Sequence, residues 1–486
     1  MKFLDASIWE GKIFNGTWIT APVSATIVEP ATGEPLGQAG FGDVAAVDAL
    51  AAVDAAAQPQ WGDAAPEVRA GVIRQAARTL ADHTAEIAEW IVRETGSVQG
   101  KADFEIGLAL AELHQAAALV TQPIGHVLPA AVPDRLNLAI RVPFGVVGVI
   151  APWNFPLILG MRSVAPALAV GNAVVLKPDP QTPVSGGVVI ARLFQEAGLP
   201  AGLLSVIPGG ADVGEAVVTN PRVRMVTFTG SSAVGRRVGE LAGRHLKRAA
   251  LELGGNNAMI VLDDCDIDAA SSAGAWGSFL HQGQICMTTG RHIVMRSVAE
   301  RYAAALAERA QRLPVGDPFR NKQVALGPII NARQIEKIHR IVTETVGAGA
   351  KVRAGGTYEK QFYQPTVLTE VTPEMPAFRE EIFGPVAPIT IVEDENEAVR
   401  VANATEYGLV AAVRTGSLTR GMAIARRLKT GMVHVNDQTV NNLSYAPFGG
   451  TGASGNGFRF GSLSNGEEFT ELRWITAGDQ QLSYPF

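Results

Sequence analysis

RMVTFTGSSAVGRRV, residues 224–238, reads as an apolar strand, a glycine turn and the start of a helix. Three similar apolar runs come before it: VVGVI (146–150), NAVVLK (172–177) and LLSVI (203–207), with a helical segment, GGVVIARLFQEAG (186–198), between the last two. Strands that are apolar throughout and alternate with helices indicate a parallel sheet covered on both faces. A second alternation follows. It contains AMIVL (258–262), helices near 299–313 and 331–347, and the runs PITIV (388–392) and GMVHV (431–435). Upstream, residues 44–120 are rich in alanine and read as helices, with Val68, Val72, Ile73, Ala76 and Leu80 on one face. The segment 123–141 has little helical character and is read as a β-arm that pairs with FTELRWITA (469–477).

The 486 residues suggest about three domains. With 47% hydrophobic and 18% charged residues, a large core is available. A net charge of −6 argues against a general polyanion binder, so no nucleic-acid partner is expected. The basic stretch 235–248 is read as a solvated helix face. Two cysteines, Cys265 and Cys286, make no disulfide framework, and a cytoplasmic setting fits them. The N-terminus lacks the apolar core of a signal peptide. No apolar run reaches the 18 or so residues of a membrane span, so no membrane partner is expected.

Several short motifs carry chemistry. The turn at Gly230 offers free N–H groups and the positive end of a helix, which suits a phosphate; a plain βα turn has the same pattern. A literal G-x-G-x-x-G occurs at 450–455, but no strand leads into it and no helical pattern follows, so it is not a dinucleotide fingerprint. LELGGNN (251–257) sets Glu252 between apolar residues and a glycine pair, as an ion-pair partner or as a base of raised pKa. APWNFP (151–156) holds Asn154 between two prolines after a strand, to cap a loop or to donate to an oxyanion. HQGQICMTTG (281–290) puts Cys286 in a polar turn. A buried structural cysteine belongs elsewhere, and a reactive thiol must be partly exposed.

Taken together, APWNFP, LKP (176–178), FTGS (228–231), LELGG, GQ-x-C (283–286), EEIFGP (380–385) and PFGG-x-x-x-SG (447–455) resemble the NAD(P)-dependent aldehyde dehydrogenase superfamily, in order and spacing and over nearly the whole chain. FLHQGQICM and GASGNG-x-RFG are similar to its benzaldehyde and vanillin dehydrogenase branch. The resemblance implies an α/β fold with a Rossmann-type cofactor domain (1–122 and 142–252), an α/β catalytic domain (253–446), a small β-arm for oligomerisation (123–141 and 469–486) and a linking loop (447–468). It implies oxidation of an aldehyde, aromatic in this branch, to the acid with NAD, NADP being a plausible alternative. Cys286 would be the nucleophile that forms a thiohemiacetal and then a thioester. Asn154 and the Cys286 N–H would hold the oxyanion, and Glu252 would activate the hydrolytic water. Lys177 would bind the adenosine ribose, and Gly230 and Ser231 would lie beside the pyrophosphate. Glu381 would bind the nicotinamide ribose, with Phe383 packed near the ring, and Trp153 and Gln334 would also contact the cofactor. No metal is implied, and a homodimer or homotetramer is.

The sequence departs from the family pattern in three places. Pro180 stands where a ribose-binding Glu is common, which bears on discrimination against NADP. His281 replaces the usual Asn five residues before the cysteine and is read as a neighbour of the substrate pocket. The PFGG segment lacks its usual Lys. Arg162 is either a substrate-pocket anchor for a ring substituent or an ion-paired surface residue. Aliphatic or semialdehyde oxidation is an alternative activity. A CoA-acylating enzyme is disfavoured by Glu252, and a cysteine hydrolase would leave the cofactor motifs idle.

Overall fold

The strand Val223–Thr229 lies second from one edge of a seven-stranded sheet. Its order is Arg248–Glu252, Val223–Thr229, Val146–Ile150, Ala173–Lys177, Leu204–Val206, Lys12–Phe14 and Trp18–Thr20. The first five strands are parallel and the last two join antiparallel. The computed structural model describes residues 2–461 and 463–486; Met1, and Ser462 of the expected linking loop, lie outside them. Val146–Val149 and Ala173–Lys177 are buried along their length, as strands covered on both faces must be.

A second seven-stranded sheet runs Lys351–Ala354, Thr366–Thr369, Val386–Val392, Thr289–Met295, Asn257–Val261, Val410–Arg414 and Met432–Val435. Only Lys351–Ala354 is antiparallel to its neighbour. The register of the first sheet aligns Ile150 with Lys177 and Thr229 with Glu252, so four strands end along one edge. From that edge residues 253–256 cross to Asn257, which opens the second sheet beside Thr289. Ligand sites of parallel sheets form at the carboxyl ends of strands. Here that edge faces the start of the other sheet.

Four helices, Val44–Gly62, Pro66–Asp82, Thr84–Thr95 and Gln99–Leu119, fill the alanine-rich region. The buried face of the second is Ala70, Ile73, Ala76, Ala77 and Leu80; Val68, in its first turn, is 54% exposed and not part of the core face. Residues 184–188 form a wide turn before the helix Val189–Glu196, because the Glu94 carboxylate takes the N–H groups of Val184 and Ser185. Strand Leu136–Pro143 pairs antiparallel with Thr470–Ala477, and Gly125–Val127 pairs on its other side, so the arm runs two residues past 141. The 447–461 stretch does more than link domains. It folds back on the first sheet, bridging Gly455 to Glu252, while Leu253 N–H donates to Ser454 O at 3.0 Å. No described helix is long and apolar enough to cross a membrane.

Asn172 ties three parts of this fold together. Its amide donates to Ala167 O (3.1 Å) and Phe469 O (2.9 Å) and accepts from Gly145 N–H (3.1 Å), all at a fully buried position. Asn172→Ala takes the side-chain partner from Phe469 O and Gly145 N–H, while Ala167 O keeps the backbone N–H of residue 172, and is expected to cost roughly 2–3 kcal/mol, read as a lower urea midpoint at unchanged slope.

Candidate active site

The turn after Val146–Ile150 is fixed by its prolines and by Ala151 N–H donating to Lys177 O at 3.1 Å. Pro156 opens the helix Pro156–Ala169, where a missing N–H costs nothing. Asn154, just ahead of it, is buried, and its Nδ2 donates to Gln284 O at 2.9 Å. That bond crosses from the first domain to the cysteine loop of the second.

The cysteine loop is strained. His281, Gln282 and Gly283 are consecutive left-handed residues, with φ of 49°, 56° and 69°. Two of them carry a Cβ, a conformation costing about 1–2 kcal/mol each. The surroundings hold them there: Gln282 Nε2 donates to Gly96 O (3.0 Å) and Pro328 O (2.9 Å), and Ile330 N–H donates to Gln284 Oε1 (3.0 Å). Glycine is required at 283, because a Cβ there would lie 2.1 Å from Gly384 O. Asn257 Nδ2 donates to Cys286 O and Thr288 O, both at 2.8 Å, and locks the far side. The strain sits three to five residues ahead of Cys286, and such strain tends to cluster at functional sites.

Two cavities meet at Cys286 and Asn154. One, of about 630 Å³, is lined by Trp153, Gly230, Ser231, Gln334, Glu381 and Phe383 among others. The other, of about 390 Å³, is walled by Phe104, Leu108, Phe155, Ile158, Met287 and Phe448, with Arg162 and Asn442 as its further polar residues. Cys286 is half-buried. Burial pushes its thiol up to about 12, Arg162 opposes that shift, and Glu252 and Glu381 add to it. At rest the group is a thiol.

The larger cavity fits a dinucleotide. Ser231 caps the helix Ser232–Arg244 through Val234 N–H, leaving further N–H groups at a positive helix end. The Gln334 amide oxygen is buried without a partner. Trp153 and Phe383 meet edge-to-face, centroids 5.6 Å apart, and Phe383 is held at φ 57°. Glu381 accepts from Gly255 N–H at 2.8 Å and is raised by burial. Lys177 stands apart from this cavity, buried at the end of its strand. Burial lowers its pKa, and Asp179 and Asp212 oppose the shift.

Three residues sit differently from a simple lining. Glu252 lines neither cavity; its Oε1 is buried without a hydrogen-bond partner among the described residues, beside Gly449. Burial raises Glu252 to about 8, with Arg162 and Arg459 opposing. Arg162 is 4% exposed, which removes the surface ion-pair reading. Its guanidinium lies over Phe448 (4.4 Å) and Phe460 (5.1 Å), and Nε and Nη1 have no hydrogen-bond partner among the described residues. His281 lies behind Phe155, ring centroids 5.5 Å apart, and does not reach the smaller cavity. Burial first, then the charge of Lys101, holds it well below the usual histidine range, so it is neutral. The aromatic wall was not visible in the sequence, because Phe104, Phe155 and Phe448 resemble ordinary core residues there.

The sequence model of the aldehyde dehydrogenase family matches residues 18–475. The chain belongs to the aldehyde dehydrogenase family. It is 55% identical to a vanillin dehydrogenase of Amycolatopsis sp. over 100% of both chains. It is 52% identical to a benzaldehyde dehydrogenase [NAD(+)] of Pseudomonas putida over 99% of each. A crystal structure of a salicylaldehyde dehydrogenase from Pseudomonas putida G7 complexed with salicylaldehyde superposes with a TM-score of 0.95 at 33% identity, covering 98% of this chain and 100% of that one. As an enzyme of this family the protein is an NAD(P)-dependent aldehyde dehydrogenase.

An amide nitrogen carries two hydrogens, and Gln284 O holds one of those of Asn154. The second has no hydrogen-bond partner among the described residues, and Asn154 lines both cavities together with Cys286. Asn154→Ala is expected to slow single-turnover NADH formation by about 10²–10³, roughly 2.7–4 kcal/mol; a rapid-mixing trace with excess enzyme measures it.

Proposed function

We propose that the protein oxidises aromatic aldehydes to carboxylic acids through a thioester on Cys286. The observation that carries this reading is the meeting of two cavities at one thiol, the smaller walled by Phe104, Phe155 and Phe448. A flat ring slides between such faces, and its aldehyde carbon then lies beside Cys286. The names of the relatives, vanillin and benzaldehyde dehydrogenases, support the same substrate class. Arg162, with two unpartnered nitrogens on that wall, receives an oxygen substituent of the ring.

The residues act in sequence. Cys286 gives its proton to a water molecule, and the thiolate attacks the carbonyl carbon. The new oxyanion is held by the free N–H of Asn154 and by the Cys286 backbone N–H. When bound, NAD(P)+ supplies the hydride acceptor. Collapse of the thiohemiacetal expels hydride and leaves a thioester. Glu252 turns from Gly449 toward Cys286 and takes a proton from water as the water attacks. The acid departs and the thiol is restored. Water supplies the added oxygen, and the two electrons leave as hydride.

NAD is the preferred cofactor. Pro180 removes one carboxylate that would repel a 2′-phosphate, while Asp179 and Asp212 remain near Lys177. The ratio of kcat/KM for NAD over NADP is expected to stay below about 10³, a difference of roughly 4 kcal/mol. The exposed arm, with Trp474 72% exposed and Leu472 and Val127 also in solvent, suits burial against further copies in a dimer or tetramer. The two free cysteines fit a cytoplasmic setting.

The decisive experiment mixes enzyme, NAD and benzaldehyde and follows NADH absorbance. The parent turns over steadily. Glu252→Gln is expected to give about one equivalent of NADH and then slow by about 10²–10⁴, with the acyl group visible as added mass on Cys286. Because burial raises the Glu252 pKa, its basic form grows as pH rises through about 8. Where hydrolysis limits turnover, the parent kcat should rise through that window. The variant's slow hydrolysis should lack this rise.

A further inference from the structure

Helix Gln99–Leu119 packs along helix Pro156–Ala169 and carries a buried ion pair that the oxidation above does not use. Lys101 Nζ lies 2.5 Å from Glu105 Oε2, one helical turn away, and both side chains are fully out of solvent. Burying two charges is costly, and apolar residues of the same size often hold two helices together as well or better. A pair kept in this position therefore calls for a second role.

Its contacts suggest one. Glu105 Oε1 accepts from Leu157 N–H at 2.8 Å and Ile158 N–H at 3.3 Å. Those are orphan donors of the first turn of helix Pro156–Ala169, which has no side-chain cap of its own. A carboxylate from another helix fills that position, favoured by the positive helix end. Lys101 holds the other carboxylate oxygen, and its ammonium lies 4.2 Å from the centroid of the Phe155 ring. Phe155 follows Asn154 directly, and Leu157 and Ile158 come three and four residues after it. The Phe155 ring also meets, edge-on, His281, the first left-handed residue of the cysteine loop.

We infer that Lys101 and Glu105 are positioning residues that act through Asn154. The carboxylate clamps the helix start, the ammonium clamps the Phe155 ring, and together they hold the Asn154 amide against Gln284 O with its second N–H directed at the oxyanion. The inference rests on the cysteine mechanism proposed above. A 1 Å misplacement of a reacting geometry costs up to about 10²-fold in rate, and a loosened Asn154 would lose that much without any change at the cofactor cavity.

The test is single-turnover NADH formation from benzaldehyde at saturating NAD. Lys101→Met/Glu105→Gln keeps side-chain size and removes both charges together, so that no lone charge is left buried. The double variant is expected to lose about 10- to 100-fold in this rate. Its NAD dissociation constant, read by tryptophan fluorescence, should move less than about twofold, because the clamp touches no cofactor contact. Placed on top of Asn154→Ala, the same pair should add less than about twofold, since residues acting through one group are not additive. A folded double variant with the parent rate overturns the inference. A loss that multiplies in full with that of Asn154→Ala overturns it too. Should the neutral pair not fold, Glu105→Asp keeps the charge but shortens the reach to Leu157 and Ile158, and the same loss and the same coupling are required of it. A parent enzyme that makes no NADH refutes the oxidation reading and this inference with it. A parent that does, beside an unaffected variant, refutes the inference alone.

Discussion

The hydrogen bond from Asn154 Nδ2 to Gln284 O is the constraint on which the site depends. Its donor belongs to the loop that ends a strand of the first sheet, and its acceptor belongs to the loop that presents Cys286. The crossing 253–256, the fold-back of 447–461 and the bond from Gln282 Nε2 to Gly96 O join the same two parts near the site. The Asn154 amide is the bond that ties its own loop directly to the one presenting Cys286, the proposed nucleophile. The strained turn His281–Gln282–Gly283 makes sense in this light. It brings Gln284 O under Asn154, and its left-handed residues are held by Gly96 O and Pro328 O, both outside the loop.

Burial governs the electrostatics of the site. It raises Cys286 to about 12, Glu252 to about 8 and Glu112 to about 7. Arg162 opposes all three shifts, and its own charge is answered by Glu112 first and then by Glu252 and Cys286. One guanidinium, stacked between Phe448 and Phe460, thus serves three anions that are not all charged at once. The thiolate and the Glu252 carboxylate are needed at different stages, one before hydride leaves and one after. A single cation that stabilises whichever is ionised suits that alternation. Arg459 also favours the Glu252 carboxylate, but burial outweighs both cations and keeps the group raised.

What was legible in the sequence was what covalent geometry and local pattern dictate. Pro152 and Pro156 marked the Asn154 turn. The apolar runs ending at Ile150, Lys177 and Thr229 marked strand ends where the site forms, though the short strand Arg248–Glu252 went unread, and polar neighbours set Cys286 apart from a core cysteine. Groups whose role comes from long-range packing were not legible. Glu105 caps a helix some fifty residues away, which no window on the sequence reveals, and Lys101 looked like any charge in an alanine-rich helix. Arg162 could be read as anchor or as surface ion pair, because a lone arginine in an apolar helix does not announce which face is wet. His281 looked like a pocket residue by its nearness to Cys286, yet the left-handed turn sends its ring behind Phe155. The 447–468 stretch looked like a link, since its glycines carry no periodicity. Its partner, Glu252, lies about two hundred positions earlier.

That partnership explains the glycines. Ser454 Oγ donates to Gly254 O at 2.6 Å, and Gly230 N–H donates to Glu252 O at 3.0 Å, so the backbone at 252 is pinned from both sides and only the side chain can move. A Cβ at position 449 would lie 2.3 Å from Phe458 O and 2.8 Å from both Arg459 Nη1 and Glu252 Oε1, so the backbone of the fold-back is what first requires glycine there, and the carboxylate rests against it, outside both cavities. Because Glu252 already raises the thiol, closer approach would raise it further and slow the first attack. On the mechanism proposed above, the resting place beside Gly449 keeps the base off the thiol during acylation, and its return for hydrolysis would be a movement of the side chain alone, the backbone at 252 being pinned.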